Sequence, residues 1–343
     1  MDKIWAVDGL FYAQRLSGIQ RYSAELLRAL DELIEPGRVE VVLPPDAPVP
    51  EFHNIKAVRF GSRTGMLWEQ LDYPRYLKQY QREGLCTCNV IPLAGFHGMA
   101  VVHDVCYRAR PDFYRDARGR ASALWHRLQY RAIAAKAETI VTVSAFSRSE
   151  LTRYYGIPAD KMAVIPNAWQ HMERVQTDEG IFEKQPRLRR GEYYFSMANL
   201  LKNKNFPWVL AAARRKPEAV FAIAGGGSLQ SLPGAGLPNV VYLGYVSDGE
   251  AKALMAYCKA FLFPTLYEGF GIPPLEAIAC GAPAVCVSDT SCMREVYGDN
   301  AAYIDLAANQ GDVDAIPPAK RPAAEVLDRY SWHKSAQKLA QLL

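Results

Sequence analysis

Short apolar runs alternate along the chain with longer amphipathic segments. In the first half "KIWAVDGL" precedes "QRYSAELLRALDEL", "VEVVLP" and "AVVHDV" follow, and "LWHRLQYRAIAAKA" leads into "TIVTVS". Continuous apolar runs of this length suit strands buried on both faces, and the intervening segments have the period of helices. The second half repeats the alternation through "YYFSMAN", "FPWVLAAARR", "AVFAIAGGG", "NVVYLGYV", "GEAKALMAYCKA", "AFLFPT", "PPLEAIACG", "APAVCVS" and "AAYIDL". The pattern predicts an α/β protein with two lobes, each a parallel sheet covered by helices.

Residues 171–192, "HMERVQTDEGIFEKQPRLRRGE", are polar and charged without a sustained apolar period, so they read as an exposed linker. The expected organisation is therefore a first lobe over 1–170, the linker, a second lobe over 193–322, and a helical tail over 323–343 that crosses back toward the first lobe. A chain of 343 residues is long enough for two such cores. No run of about 18 apolar residues is present, which excludes a helical membrane span. The opening "MDKIWAVDGLFYAQ" carries Asp2 and Asp8 and no small-residue cleavage site, so it does not read as a signal peptide, and a cytoplasmic location is expected.

The seven cysteines are odd in number and scattered, and Cys86 and Cys88 are the only close pair, which points to buried free thiols and not to a disulfide framework or zinc site. The formal charge is only +4, yet residues 107–138 hold eight Lys or Arg against three acids. Such a run reads as a solvated helix face; the interleaved Phe113, Tyr114, Leu124, Trp125, Leu128 and Tyr130 also suit contact with anionic lipid or a phosphate-bearing acceptor. Nothing resembling a nucleic-acid module accompanies the charge, and no nucleic-acid partner is expected.

In an open parallel sheet ligands bind outside the carboxyl ends of the strands, and each candidate site follows a predicted strand. After "AFLFPT", a loop over residues 266–274 contains Glu268 and a Gly-Phe-Gly, and Glu276 is placed in the first turn of the helix beyond it. Two acids eight positions apart can accept from sugar hydroxyls; a helix-dipole acid and a surface-loop acid would look the same. Free N–H groups at that helix start favour an anion. Lys204 precedes the helix "FPWVLAAARR" and could reach a phosphate there, or be simply solvated. His103, beside Asp104 at a strand end, can orient a ligand, relay a proton or satisfy a carbonyl. Gly18 is read in a loop before a helix. Ser144 and Ser147 suit helix capping, and the "AGGGS" of residues 224–228 suits either backbone approach to a ligand or a tight turn.

The stretch "FPTLYEGFGIPPLEAIACGAPAVCVSDTSCMREVYGDNAAYIDL" resembles the C-terminal signature of the family 4, group 1 glycosyltransferases of the GT-B fold, with Glu268 and Glu276 meeting the acid, seven residues, acid pattern. "LSGIQRY", "LWEQLDYP", "VVHDVCYRARPDFY", "VSAFSRSEL", "KMAVIPNA" and "DRYSWHKSAQKL" are similar to the family's other segments, in order and across nearly the whole chain. The resemblance implies two Rossmann-like domains facing a cleft, with the C-terminal helix crossing back to the first.

It also implies a retaining transferase that moves a hexose, with mannose preferred, from a nucleoside-diphosphate sugar, without a metal or other cofactor. Carried onto this chain, His103, Lys204 and Glu268 would be catalytic. Lys204 would neutralise the diphosphate, Glu268 would contact donor-sugar hydroxyls, and His103 would lie near the transferred carbon. Gly269, Phe270, Gly271 and Ile272 would serve sugar and diphosphate through their backbone, Glu276 would bind the ribose, Gly18 would line the acceptor or phosphate side, and Asn203 stands where relatives often carry Arg. Ala168 replaces the glycine of the usual "PNG". The implied partners are the nucleotide-sugar donor and a polyprenyl-diphosphate-linked or glycan acceptor, with peripheral contact at the inner face of the membrane. A GT-B sugar-nucleotide epimerase, a phosphorylase and a catalytically silent sugar-nucleotide-binding protein are the competing readings.

Overall fold

The computed structural model describes residues 3–199, 201–227 and 236–343. The chain divides into two compact units, residues 1–167 with 332–343, and residues 168–331.

The first unit carries a seven-stranded parallel sheet in the order β3-β2-β1-β4-β5-β6-β7. Its strands are β1 (Trp5–Asp8), β2 (Val39–Leu43), β3 (Lys56–Arg59), β4 (Glu83–Cys86), β5 (Gly98–Val101), β6 (Thr139–Thr142) and β7 (Met162–Val164). Strands β1, β2 and β5 are buried at every position, as expected of apolar runs covered on both faces. The order reverses between β1 and β4, which puts Asp8 and the residues after Cys86 at the switch point where α/β sheets open a crevice. The helix Gly18–Asp31 buries Tyr22, Ser23, Leu26, Leu27 and Leu30, a single stripe at helical spacing.

Part of that stripe is covered by the last helix, Trp332–Ala340, which belongs to the first unit. Trp332 meets Tyr22 edge-on with ring centroids 5.9 Å apart, Ser335 Oγ donates to the Pro166 carbonyl at 2.8 Å, and Trp5 Nε1 donates to the Leu343 carbonyl at 2.9 Å.

The second unit holds a six-stranded parallel sheet in the order β10-β9-β8-β11-β12-β13. Its strands are β8 (Tyr193–Met197), β9 (Val220–Ala224), β10 (Val240–Gly244), β11 (Ala260–Phe263), β12 (Val285–Ser288) and β13 (Ala302–Ile304). Phe206, Leu210, Phe221, Ile223 and Leu262 centre one side of its core. In the glycine run after β9, Gly225 sits at φ +146, and a Cβ there would lie 1.7 Å from the Ala198 carbonyl oxygen, so its small size serves the chain's own backbone. Ser228, the end of that motif, lies outside the described residues.

The expected boundaries need correction at both ends. The first unit stops at Asn167, and residues 171–192 are part of the second unit. They form the short helices His171–Arg174 and Gly180–Lys184 and bury Met172, Ile181 and Leu188. Lys252 Nζ donates to the carbonyls of Met172 and Val175 at 2.7 and 2.9 Å, and the Gly191 N–H donates to the Tyr257 carbonyl at 2.8 Å. Three irregularly spaced apolar side chains and borrowed backbone bonds hold this segment, so it shows no periodic signal. Residues 323–329 form 3₁₀ turns within the second unit, with Val326 buried, and only residues 332–343 return to the first.

Candidate active site

In the second unit the loop after β11 is braced by the turn before the helix Phe206–Arg215. The Leu266 N–H donates to the Asn203 carbonyl at 2.7 Å, Asn203 Nδ2 donates to the Tyr267 carbonyl at 3.3 Å, and Asn205 Nδ2 donates to the Pro264 carbonyl at 3.0 Å. Asn205 adopts φ +55, a left-handed conformation that asparagine tolerates better than most residues. Asn203 thus uses its side chain to fix the loop.

That bracing brings Lys204 and Glu268 together. Their Nζ and Oε1 atoms are 2.6 Å apart, with side chains 18% and 12% exposed. Lys204 Nζ also lies 5.8 Å from the Phe263 ring centroid. A cation and an anion are therefore held side by side, largely shielded, at the carboxyl end of β11. Such a pair can open to a ligand that carries both a phosphate and hydroxyl groups.

Beyond the loop, Gly271 at φ +83 starts the helix Ile272–Ala279; a Cβ there would lie 2.7 Å from Met293 Cε, and the Tyr297 hydroxyl donates to the Gly271 carbonyl. Gly269 and Gly271 are buried backbone, while Phe270 and Ile272 bury their side chains, Phe270 edge-on to Tyr330 at 5.0 Å. Any ligand contact from this stretch is thus made by main-chain atoms. Because the helix begins at Ile272, Glu276 lies in its second turn and not in the first, one turn beyond the unpaired N–H groups.

Glu276 is buried and has a partner that the sequence does not announce. His171 Nε2 is 2.8 Å from Glu276 Oε1, across 105 residues of chain, with side chains 1% and 8% exposed. His171 falls at the start of the segment read as a linker; the nearby Trp169 and Met172 are the only local sign that it is packed.

The first unit places its candidates differently. His103 follows β5, and its Nε2 bonds the Thr87 carbonyl at 2.9 Å, so that nitrogen carries the hydrogen and Nδ1 is the ring's acceptor. Its backbone N–H donates to Asn89 Oδ1 at 2.7 Å, its carbonyl accepts from Ser147 Oγ at 2.9 Å, and Tyr22 packs edge-on at 4.8 Å. Burial pushes its pKa down to about 4, which makes the ring neutral at pH 7. Ser144 caps the helix Ala145–Tyr155 by accepting from the Ser147 N–H at 2.9 Å. Gly18 is an exposed residue that itself opens the helix Gly18–Asp31, and not a loop residue before it.

A pair of acids also went unnoticed in the sequence. Asp8, at the end of β1, and Glu69, on the π-helical turn Trp68–Asp72, are both buried, and the Asp8 charge bears on Glu69. Burial raises both, Asp8 to about 6 and Glu69 well above the usual carboxyl range, the second further lifted by the Asp8 charge. Two such groups share a proton more readily than both ionise. Among the described residues no three His, Cys, Asp or Glu side chains converge as a metal-binding set, and no helix is long and apolar enough to cross a membrane.

The family descriptions that match are "Glycosyltransferase Family 4" over residues 16–169 and "Glycosyl transferases group 1" over residues 178–316. The chain belongs to the group 1, family 4 glycosyltransferases. It is 31% identical over 204 residues to the O-antigen chain mannosyltransferase B of Escherichia coli, a match covering 52% of this chain and 50% of that one, so the chain spans about half the length of this curated relative. Among solved structures, the sucrose-phosphate synthase of Thermosynechococcus elongatus superposes with a TM-score of 0.74 at 16% identity over 100% of this chain and 98% of that one. HepE from Anabaena, solved in complex with UDP and glucose, gives 0.69 at 16% identity over 99% of each chain. Both establish the GT-B fold for this glycosyltransferase.

Proposed function

We propose that this glycosyltransferase moves a hexose, with mannose the first candidate, from a nucleoside-diphosphate sugar to a lipid-linked or surface-polysaccharide acceptor, with retention and without a metal. The observation that carries the reading is the arrangement in the second unit: Glu268 and a buried Glu276 on one loop-helix element, with Lys204 brought against Glu268 from the turn before the helix Phe206–Arg215. A nucleotide sugar offers a phosphate to Lys204, sugar hydroxyls to Glu268 and a ribose diol to Glu276. The main-chain groups of Gly269, Phe270, Gly271 and Ile272 lie between these acids in sequence and serve sugar and diphosphate, with Asn203 steadying the loop. Lys204 stabilises the charge that grows on the departing diphosphate, the type of term that contributes most to such reactions.

The first unit is assigned the acceptor side, with Gly18 lining the acceptor or phosphate, and the neutral His103 is assigned to the donor sugar near the transferred carbon. Attack from the face of departure, with the leaving phosphate oxygen taking the acceptor's proton, fits a site whose nearest acid, Glu268, is already held by a lysine. Mannose transfer is supported by the O-antigen mannosyltransferase relative. Peripheral contact with anionic lipid at the inner face of the membrane is supported by the basic helix Ala117–Lys136, on which Leu124 and Leu128 are exposed.

The test is thermal stabilisation of the purified chain by GDP, UDP, dTDP, ADP and CMP in EDTA, followed by transfer from the matching labelled sugar nucleotide to lipid-linked acceptor extracts. A ligand at a hundred times its Kd adds about 2.7 kcal/mol, which raises Tm by roughly several degrees. One diphosphate standing out, with an α-linked product formed in EDTA, is the expected result. Binding without transfer would favour a silent nucleotide-sugar protein, a trapped glycosyl-Glu268 would overturn front-face attack, and a metal requirement would overturn the metal-free reading.

A further inference from the structure

The His171–Glu276 bond is not required by the fold in any obvious way. A glutamate in the second turn of a helix satisfies no N-terminal N–H, and a surface acid needs no buried base. Here both side chains are nonetheless withdrawn from water and bonded at 2.8 Å.

The segment bearing His171 is pinned on several sides within the second unit. Trp169 Nε1 donates to the Leu327 carbonyl at 3.1 Å, Gln170 Nε2 donates to the Tyr330 carbonyl at 3.0 Å, and Lys252 holds the carbonyls of Met172 and Val175. The Glu276 helix is fixed at its start by Gly271, Met293 and Tyr297. The His171 segment and the Glu276 helix are thus each held by other contacts besides the 2.8 Å bond that joins their side chains. A glutamate has three rotatable side-chain bonds, and anchoring Oε1 settles in advance where the other lone pairs of the carboxylate point.

We propose that His171 is a positioning residue that aims Glu276 at the two ribose hydroxyls of the donor, and so sets the preference for a ribonucleotide over its deoxygenated analogue. This rests on the reading of Glu276 as the ribose acid. The imidazole touches no substrate; it lowers the cost of ordering the acid that does, which is preorganisation.

The experiment measures the Kd of GDP, UDP and ADP and of their 2′,3′-dideoxy counterparts for the wild type and for the Glu276→Ala, His171→Leu and His171→Gln variants. The wild type is expected to favour the ribonucleotide of the preferred base by at least about tenfold, the scale of one hydrogen bond to a charged group. Glu276→Ala should abolish the preference, His171→Leu should cut it to within about threefold, and His171→Gln, whose amide can still donate, should restore most of it. A change confined to packing would weaken both nucleotides alike and leave their ratio intact. If His171→Leu does not fold, His171→Asn, whose amide falls short of Oε1, reads the same ratio. A ratio that collapses in Glu276→Ala but survives the loss of the imidazole overturns the role of His171 and keeps the donor reading. A wild type without any preference, or without binding, overturns the donor reading and this inference with it.

Discussion

The two units are built alike and keep their acids in opposite ways. In the second, each acid near the loop after β11 has a base: Glu268 has Lys204 at 2.6 Å and Glu276 has His171 at 2.8 Å. In the first, at the switch point between β1 and β4, Asp8 is buried where its charge bears on another buried acid, Glu69, and the nearby strand end carries a histidine held neutral by burial. An acid bonded to a base stays ready to accept from hydroxyls. Two buried acids whose charges oppose each other retain a proton between them. The same sheet architecture therefore holds the acids of one unit against basic side chains and those of the other against each other.

The contrast breaks most sharply at Lys204. Lys204→Ala should reduce the rate of nucleotide release from the donor in the presence of acceptor by about a hundredfold or more, because it removes the countercharge for the leaving group. A loss below about threefold would make the Lys204–Glu268 bond an ordinary surface pair. Next in size, Glu276→Ala should weaken binding of the preferred diphosphate by roughly tenfold or more and also lower the apo Tm, since His171 loses its buried partner, as read by calorimetric titration and fluorimetry.

These candidate residues are unevenly legible in the sequence. The alternation of apolar runs and amphipathic segments announces both sheets, since strands buried on both faces must be continuously apolar. Glu268, Lys204 and His103 stand in short motifs after strands, where local sequence carries the message. The pairings do not. Glu268 is 64 positions from Lys204 and Glu276 is 105 from His171, and nothing local records a bond between residues so far apart. Asp8 looked like a mere charge near the start, and Glu69 sat unremarked inside "LWEQLDYP". Residues 171–192 misled for a related reason: their apolar side chains obey the shape of the helix Asp248–Ala256 and its surroundings, and not a period of their own.

The acid pair sharpens the comparison through pH. The Asp8 pKa is raised in the folded chain from 3.8 to about 6, so between these values the folded state binds more protons than the unfolded state, and this group's contribution to stability falls as pH rises. Asp8→Asn escapes that loss, and its Tm relative to wild type should climb between pH 4.5 and 7. A difference that shrinks over this range would show that the acids are not sharing a proton. His103 runs the other way. Its pKa is lowered from 6.5 to about 4, so its contribution is complete above 6.5 and is lost as pH falls toward 4. His103→Gln should flatten that acid limb in the same scans. The smallest effect is expected of the thiols: none of the seven cysteines forms a disulfide, and five are buried, so adding a reductant should leave Tm unchanged.

The return of residues 332–343 to the first unit also governs how the chain comes into being. The second unit is continuous in sequence and can fold as soon as it has been synthesised. The first unit is synthesised earlier and finished later: until the final helix arrives, Tyr22 lacks Trp332 and the Pro166 carbonyl lacks Ser335. The unit that contains Gly18 and His103 is thus completed last, after the unit that contains Lys204, Glu268 and Glu276.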